Sequence, residues 1–313
     1  MVGRGVTVVL AGPPAQRLAA VAPVFRQIGD LKRVRVAHAD GSAAERAFVR
    51  AWTALVAGAD PGAVAARECA AAVAGARLGG LDAPTLTACG LSAPDVENVL
   101  AGAVAELADA LHPGTVGRLH AALPELAADH AAEDGGPPFV SALRRQPRAG
   151  ATAPGRARLV VEPAENHAEH CWAVAVYGAL LAEDVGADPG SAFLLGLAHH
   201  LHNARLPDAG FAGELLLGEH LGTVTDRLTE IELATLPAPL AARVRATLTG
   251  RADAHSPLGA AFHAADVLDR VLQAHHHARA AAFTAEQALV DLELVHDGPV
   301  AGYHHAVLRA AGL

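Results

Sequence analysis

Several things are scarce in this chain. Cysteine occurs 3 times in 313 residues, at Cys69, Cys89 and Cys171. That is too few and too dispersed for a disulfide framework or a zinc ribbon, both of which need closely paired thiols, so a reducing, cytoplasmic setting is expected. Only 18% of residues are charged against 52% hydrophobic, a balance that excludes a disordered chain. The 31 glycines and 19 prolines follow no collagen-like period. No apolar run approaches the roughly 18 residues of a spanning helix, so no membrane span is expected. The opening MVGRGVTVVLAGPP ends its apolar run at Gly12-Pro13-Pro14 and carries no secretory cleavage pattern, so no export signal is read. Positive charge is also short. Lys+Arg number 24 against 33 Asp+Glu, for a net charge of −9, which disfavours an extended nucleic-acid surface. Lys32 is the single lysine.

Histidine, in contrast, is abundant. There are 18, and only His38, His112, His120 and His130 precede residue 160. A GC-rich coding bias would explain the many alanines but not these imidazoles, so chemistry is expected in the C-terminal half. The length suggests two domains at roughly 150 residues each.

The β-branched runs 6–11 and 34–38 flank a helix-like stretch from Pro14 to Ile28, which reads as a short β-α-β start. Its first turn is no phosphate loop, because Pro13 and Pro14 lack amide donors. Ser42 with Glu45 forms a capping box, and Phe48, Trp52 and Leu55 recur at helical spacing, predicting a helix over 43–57. Further helices are expected at 62–77, 94–111 and 115–130. Residues 134–158 carry Gly135-Gly136-Pro137-Pro138, then Arg144, Arg145, Arg148, Arg156 and Arg158 without an acid after Phe139. They are read as a linker whose arginines could alternatively reach a phosphate. The expected organisation is an α-rich region at 1–133, this linker, and a helical metal-binding domain at 159–313. In that last part helices are predicted at 165–183, 189–204, 213–221, 223–234, 237–249, 257–279, 284–296 and 299–311. His275, His276 and His277 are read as a solvated helix end.

Three of these helices carry the chemistry. His167 and His170 share a stripe with Val174, Tyr177 and Leu181. The next helix ends in His199, His200 and His202, of which His199 and His202 share a face. His199 and His200 lie about 100° apart on a helix, so both reach one ion only at a seam between helices. The third offers His263, Asp266 and Asp269 at i, i+3, i+6, and buried carboxylates on an apolar helix call for a cation.

The order Glu169-His170-Cys171-Trp172-Ala173-Val174-Ala175, then Leu197-Ala198-His199-His200-Leu201, then Ala264-Ala265-Asp266-Val267-Leu268 resembles the HD-domain superfamily of metal-dependent phosphohydrolases. The nucleotidase-type branch is the most similar, with Asp208 and Leu236-Pro237 also matching. The resemblance covers roughly residues 160–310. It implies a mainly α fold and a divalent transition metal, Mn, Co, Ni, Zn or Fe, at about one ion per chain. His170, His199 and Asp266 would be ligands. His200 stands where the superfamily has a bridging aspartate, and a neutral imidazole does not readily bridge two cations. A mononuclear set of His170, His199, His200 and Asp266 is therefore expected. Asn203 stands where that branch carries a catalytic glutamate, leaving Asp208, Glu214 and Glu219 as substitutes.

The activity expected from these residues is hydrolysis of a small phosphorylated metabolite or nucleotide, with Asp208 orienting water or holding a substrate hydroxyl and Arg205 clamping phosphate. Two alternatives follow. If His220 joined His255 or His263, the centre would resemble HD-type iron oxygenases. A chain lacking the signature aspartate could also be a binding or scaffold protein without turnover. The N-terminal region is expected to pack over the site or to form a homodimer surface.

Overall fold

The computed structural model describes residues 13–128, 136–160, 162–282, 305–306 and 308–310. The molecule is mainly α. Its helices are α1 (Ala15–Asp30), α2 (Ala43–Val56), α3 (Pro61–Leu78), α4 (Ala83–Ala88), α5 (Ala93–Ala105), α6 (Pro113–Ala127), α7 (Pro138–Arg145), α8 (His167–Val185), α9 (Pro189–Ala198), α10 (Gly210–Leu217), α11 (His220–Leu233), α12 (Ala238–Leu248) and α13 (Pro257–Ala281). Among the described residues only isolated β-bridges occur, so 34–38 is not a strand but a bend closed by a single Val36–Ala39 bridge. The other expected strand, 6–11, and the helix expected at 284–296 lie outside the described residues, as does most of 299–311.

Contacts divide the chain into two units, Met1–Leu272 and Gln273–Leu313. In the second, Gln273 Nε2 and His277 Nε2 are 3.1 Å apart, within α13 rather than beyond its end. The first unit is organised on α8, which is buried without interruption from His167 to Ala182. A helix apolar all round must be enclosed on every side, and α2, α3, α7 and α9 enclose it. Asn166 and Glu169 form a reciprocal capping box at its start, and Gly186 closes it in the left-handed conformation at φ 73°, a geometry glycine adopts without penalty. Asp188 then caps α9 through the Ser191 amide, so the two helices fold back as a hairpin.

The hairpin is very tight at one point. A Cβ on Gly196 would meet the Cα of Ala175 and the carbonyl carbon of Val174, so only glycine allows this backbone approach. That approach places the end of α9 against the first turns of α8.

The N-terminal half shares the same core. Tyr177 of α8 stacks on Phe25 of α1 at 4.2 Å between ring centres, and its hydroxyl donates to the Phe25 carbonyl at 2.5 Å. The expectation of a solvated linker at 134–158 is corrected in its described part. Phe139, Val140 and Leu143 of α7 are buried, and Phe139 meets Trp52 edge to face at 4.9 Å. The chain then makes a hairpin-like excursion, held by paired backbone hydrogen bonds between Ala151 and Leu159 at 2.9 Å and by Arg148 N to Glu165 O at 2.8 Å. Phe139, Val140 and Leu143 thus belong to the same core as α2 and α8. Among the described residues no helix is long and apolar enough to cross a membrane.

Candidate metal centre

α9 stops at Ala198, short of the expected 204, and the chain continues as a 3₁₀ turn over Leu201–Ala204. Because His199 and His200 flank that change, the helical separation of 100° no longer applies, and their ring centres lie 4.2 Å apart. His170 projects from α8 toward both, and ligand atoms of His170, His199 and His200 all lie within 4.8 Å of one another.

The hydrogen bonds fix where the lone pairs point. His170 Nδ1 is 2.8 Å from Asp269 Oδ2, and a carboxylate only accepts, so this nitrogen carries the proton. His199 Nδ1 is 2.7 Å from the Gly196 carbonyl and is protonated for the same reason. The two Nε2 atoms face each other at 3.2 Å. Asp266 Oδ1 joins them, 3.4 Å from His170 Nε2. His170 Nε2 thus has an imidazole nitrogen on one side and a carboxylate oxygen on the other, a position suited to a proton or a bound cation. Two ligand atoms about 2.1 Å from one ion, at angles from about 90° to tetrahedral, are about 3.0–3.4 Å apart. The His170–His199 and His170–Asp266 separations fit that spacing, and the three residues of mutual metal-type spacing are His170, His199 and His200.

The electrostatics agree. Burial, assisted by the neighbouring His170, holds His199 well below the ordinary histidine range. Burial also depresses His200, with His199 and Arg148 adding to the effect. Both are thus neutral, the form that ligates. For Asp266, burial opposes the charge, but His170, His199 and Arg270 outweigh it and keep the carboxyl ionised. Asp266 also pairs with Arg270 at 3.0 Å.

The fourth expected ligand is differently engaged. His200 Nδ1 donates to Asn203 Oδ1 at 2.7 Å, and its Nε2 accepts from Arg148 at 2.9 Å. His200 is in the cluster, but its lone pair is held by a guanidinium. Asn203, with its amide nitrogen on the Leu206 carbonyl at 3.0 Å, turns its oxygen to His200.

Asp208 is at the centre's edge. It accepts the amides of Ala149 at 3.0 Å and Gly210 at 2.8 Å. His167 Nδ1 is 3.1 Å from the Gln146 carbonyl, so Nε2 is the acceptor; it stands 3.6 Å from Asp208 Oδ2 without a partner. Burial, reinforced by Arg148, pushes His167 down to about 3.

Arg205 is corrected as a phosphate clamp, because it is exposed and pairs with Glu232 at 2.5 Å. Arg148 is the arginine bonded to the cluster, at His200. Glu214, Glu219, His220 and His255 are exposed, His263 bonds the Arg251 carbonyl at 2.9 Å, and none of these belongs to a metal-type cluster among the described residues. A cavity of about 570 Å³ lies between α2 and α3, with Trp172 in its wall, but it contains none of the clustered histidines.

Sequence reasoning missed Asp269 in its bond to His170, and Lys32, and named Arg148 only as one of five arginines in its stretch. The Lys32 ammonium reaches both Asp269 Oδ1 and Glu165 Oε1 at 2.5 Å. Burial works against its charge, but Asp269 and Glu165 outweigh it and hold the amine above its usual range.

Residues 140–291 match the family model described as HD domain. No curated protein and no solved structure matches the chain.

Proposed function

We propose that this chain, whose residues 140–291 match the HD-domain family model, is a divalent-metal-dependent phosphohydrolase acting on a small phosphorylated metabolite or nucleotide. The observation that carries the reading is the cluster of His170, His199 and His200, whose ligand atoms all lie within 4.8 Å of one another, with Asp266 Oδ1 3.4 Å from His170 Nε2. A divalent ion held there supplies Lewis acidity toward a phosphoryl oxygen and makes a nearby water more acidic.

The remaining work falls to the chain. Arg148 is half-buried and bonded to His200 by one nitrogen, which leaves donors of its fork for a phosphate. His167 and Asp208 present two acceptors 3.6 Å apart, a geometry that receives the hydrogens of a water or a substrate hydroxyl. A base pushed down to about 3 takes few protons at neutral pH, so this pair orients its donor rather than deprotonating it. In the hydrolysis the water oxygen bonds to phosphorus as the ester P–O bond breaks. Protons pass from the water to solvent and from solvent to the leaving oxygen. Cys69, Cys89 and Cys171 are unpaired, in keeping with the reducing cytoplasm we assign to it.

One observation favours a second reading. With His200 held by Arg148, the remaining set of two imidazoles and one carboxylate is also the set used by non-haem iron oxygenases. Elemental analysis of untagged protein, with phosphate release from a panel of phosphomonoesters and nucleotides under nitrogen, separates the readings. Bound divalent metal with oxygen-independent phosphate release is expected. Iron with an oxygen requirement would favour the second reading, and metal-free, inactive protein would leave a binding role.

A further inference from the structure

We propose that Lys32 and Asp269 act together as the positioning pair of this centre, fixing which nitrogen of His170 carries the proton and so turning its Nε2 lone pair toward His199 and Asp266. The proposal rests on the metal-centre reading for its purpose but not for its test.

The two oxygens of Asp269 have separate duties. Oδ1 accepts from the Lys32 ammonium at 2.5 Å and Oδ2 faces His170 Nδ1 at 2.8 Å. All three side chains are buried, Lys32 at 3%, Asp269 at 1% and His170 at 0% exposure. Glu165, His170 and Asp269 have the mutual spacing of a metal-type cluster, and the ammonium lies 2.5 Å from both carboxylates. The chain's own cation is thus bound where these two acids would otherwise need another. An ammonium has donors only. Whatever stands at position 269 must turn an acceptor to Lys32, and its remaining atom then decides the proton on His170. With a carboxylate that atom accepts, Nδ1 keeps its hydrogen, and Nε2 is free to ligate. Lys32, directly after α1, so links the N-terminal half to a ligand on α8 through a residue on α13.

Asp269→Asn is the informative variant because it is isosteric. Lys32 would claim the amide oxygen and leave the NH₂ facing His170 Nδ1, which must then accept. The proton would move to Nε2, and the lone pair would be lost from the centre. In Lys32→Met/Asp269→Asn the amide is released from that demand and can turn its oxygen to His170, restoring the original tautomer. Long-range ¹H–¹⁵N correlation spectra of metal-free, histidine-labelled protein read the tautomer directly, and calorimetric titration with Zn²⁺ reads affinity. The single variant should show His170 protonated at Nε2 and bind Zn²⁺ about 10–100-fold more weakly; the double variant should recover the Nδ1–H form and most of the affinity. A single variant that keeps Nδ1–H, or a folded double variant that stays at Nε2–H, overturns the proposal. Wild-type protein that binds no Zn²⁺ would sink the metal-centre reading, while the tautomer of the metal-free variants would still decide the role of Lys32.

Discussion

His199 and His200 are depressed well below the ordinary histidine range, chiefly by burial, so their ligating form persists on the acid side of about pH 6.5. Bound metal should therefore survive dialysis from pH 7 to pH 6 and leave only in stronger acid; elemental analysis that finds release already near pH 6.5 would contradict the effect of burial on His199. The same shifts set the sign of the stability of the metal-free protein. The folded state binds fewer protons than the unfolded state between the two values, so stability falls as pH falls through that interval. For His167 it runs from about 6.5 down to about 3. The Tm should decline across it, with a shallower slope in His167→Asn. His199→Ala and Asp266→Ala should each weaken metal binding by more than the roughly 10–100-fold typical of an outer partner. Arg148→Ala should keep its metal but raise the inhibition constant of inorganic phosphate at least ~10-fold, whereas Arg205→Ala should leave it unchanged. Imidazoles and carboxylates on apolar helical faces make the C-terminal half legible as a candidate site, and the resemblance to the HD-domain superfamily is what singles out His170, His199 and Asp266 among them. Arg148 is not legible, because its run of arginines reads equally as solvated chain until His200 is seen beside it.

At the scale of elements, the α8–α9 hairpin delivers His199 to His170, and Gly196 is its tightest point. Gly196→Ala would press a methyl group into the Ala175 backbone, costing about 1–3 kcal/mol and separating the two imidazoles. Thermal unfolding and Zn²⁺ titration should both register it. Helix existence is legible from spacing and caps, as at Ser42, Asp188 and Asn166. The end of α9 is not. Nothing local distinguishes a helix through residue 204 from one that tightens at Leu201, and that difference is what brings His199 and His200 together. The α13 carboxylates show a similar limit. The i, i+3 spacing puts Asp266 and Asp269 on one face, but only packing against α8 assigns Asp266 to Nε2 and Asp269 to Nδ1 of the same ring. α7 is missed because the Gly-Pro entry and the arginines hide a short amphipathic turn, whose Phe139→Ala should cost about 3–5 kcal/mol.

For the molecule as a whole, the core is continuous from α1 to α13. A chain starting at residue 136 would uncover Tyr177 and the α8 face against α2 and α3. It should elute as aggregate and lose a cooperative melt; a monodisperse, fully active fragment would overturn the shared-core account. The Gly-Pro-rich stretch does not interrupt this core for a physical reason: proline- and glycine-rich sequence marks where helices break, not where a hydrophobic core ends. The lone lysine has one further implication. Its side-chain amine is 3% exposed and bonded to two carboxylates, so in the native protein no lysine is open to acylating reagents or to any conjugation that needs a free ε-amine. Acylation of Lys32 thus becomes a chemical clock, recording each opening of the interior around His170.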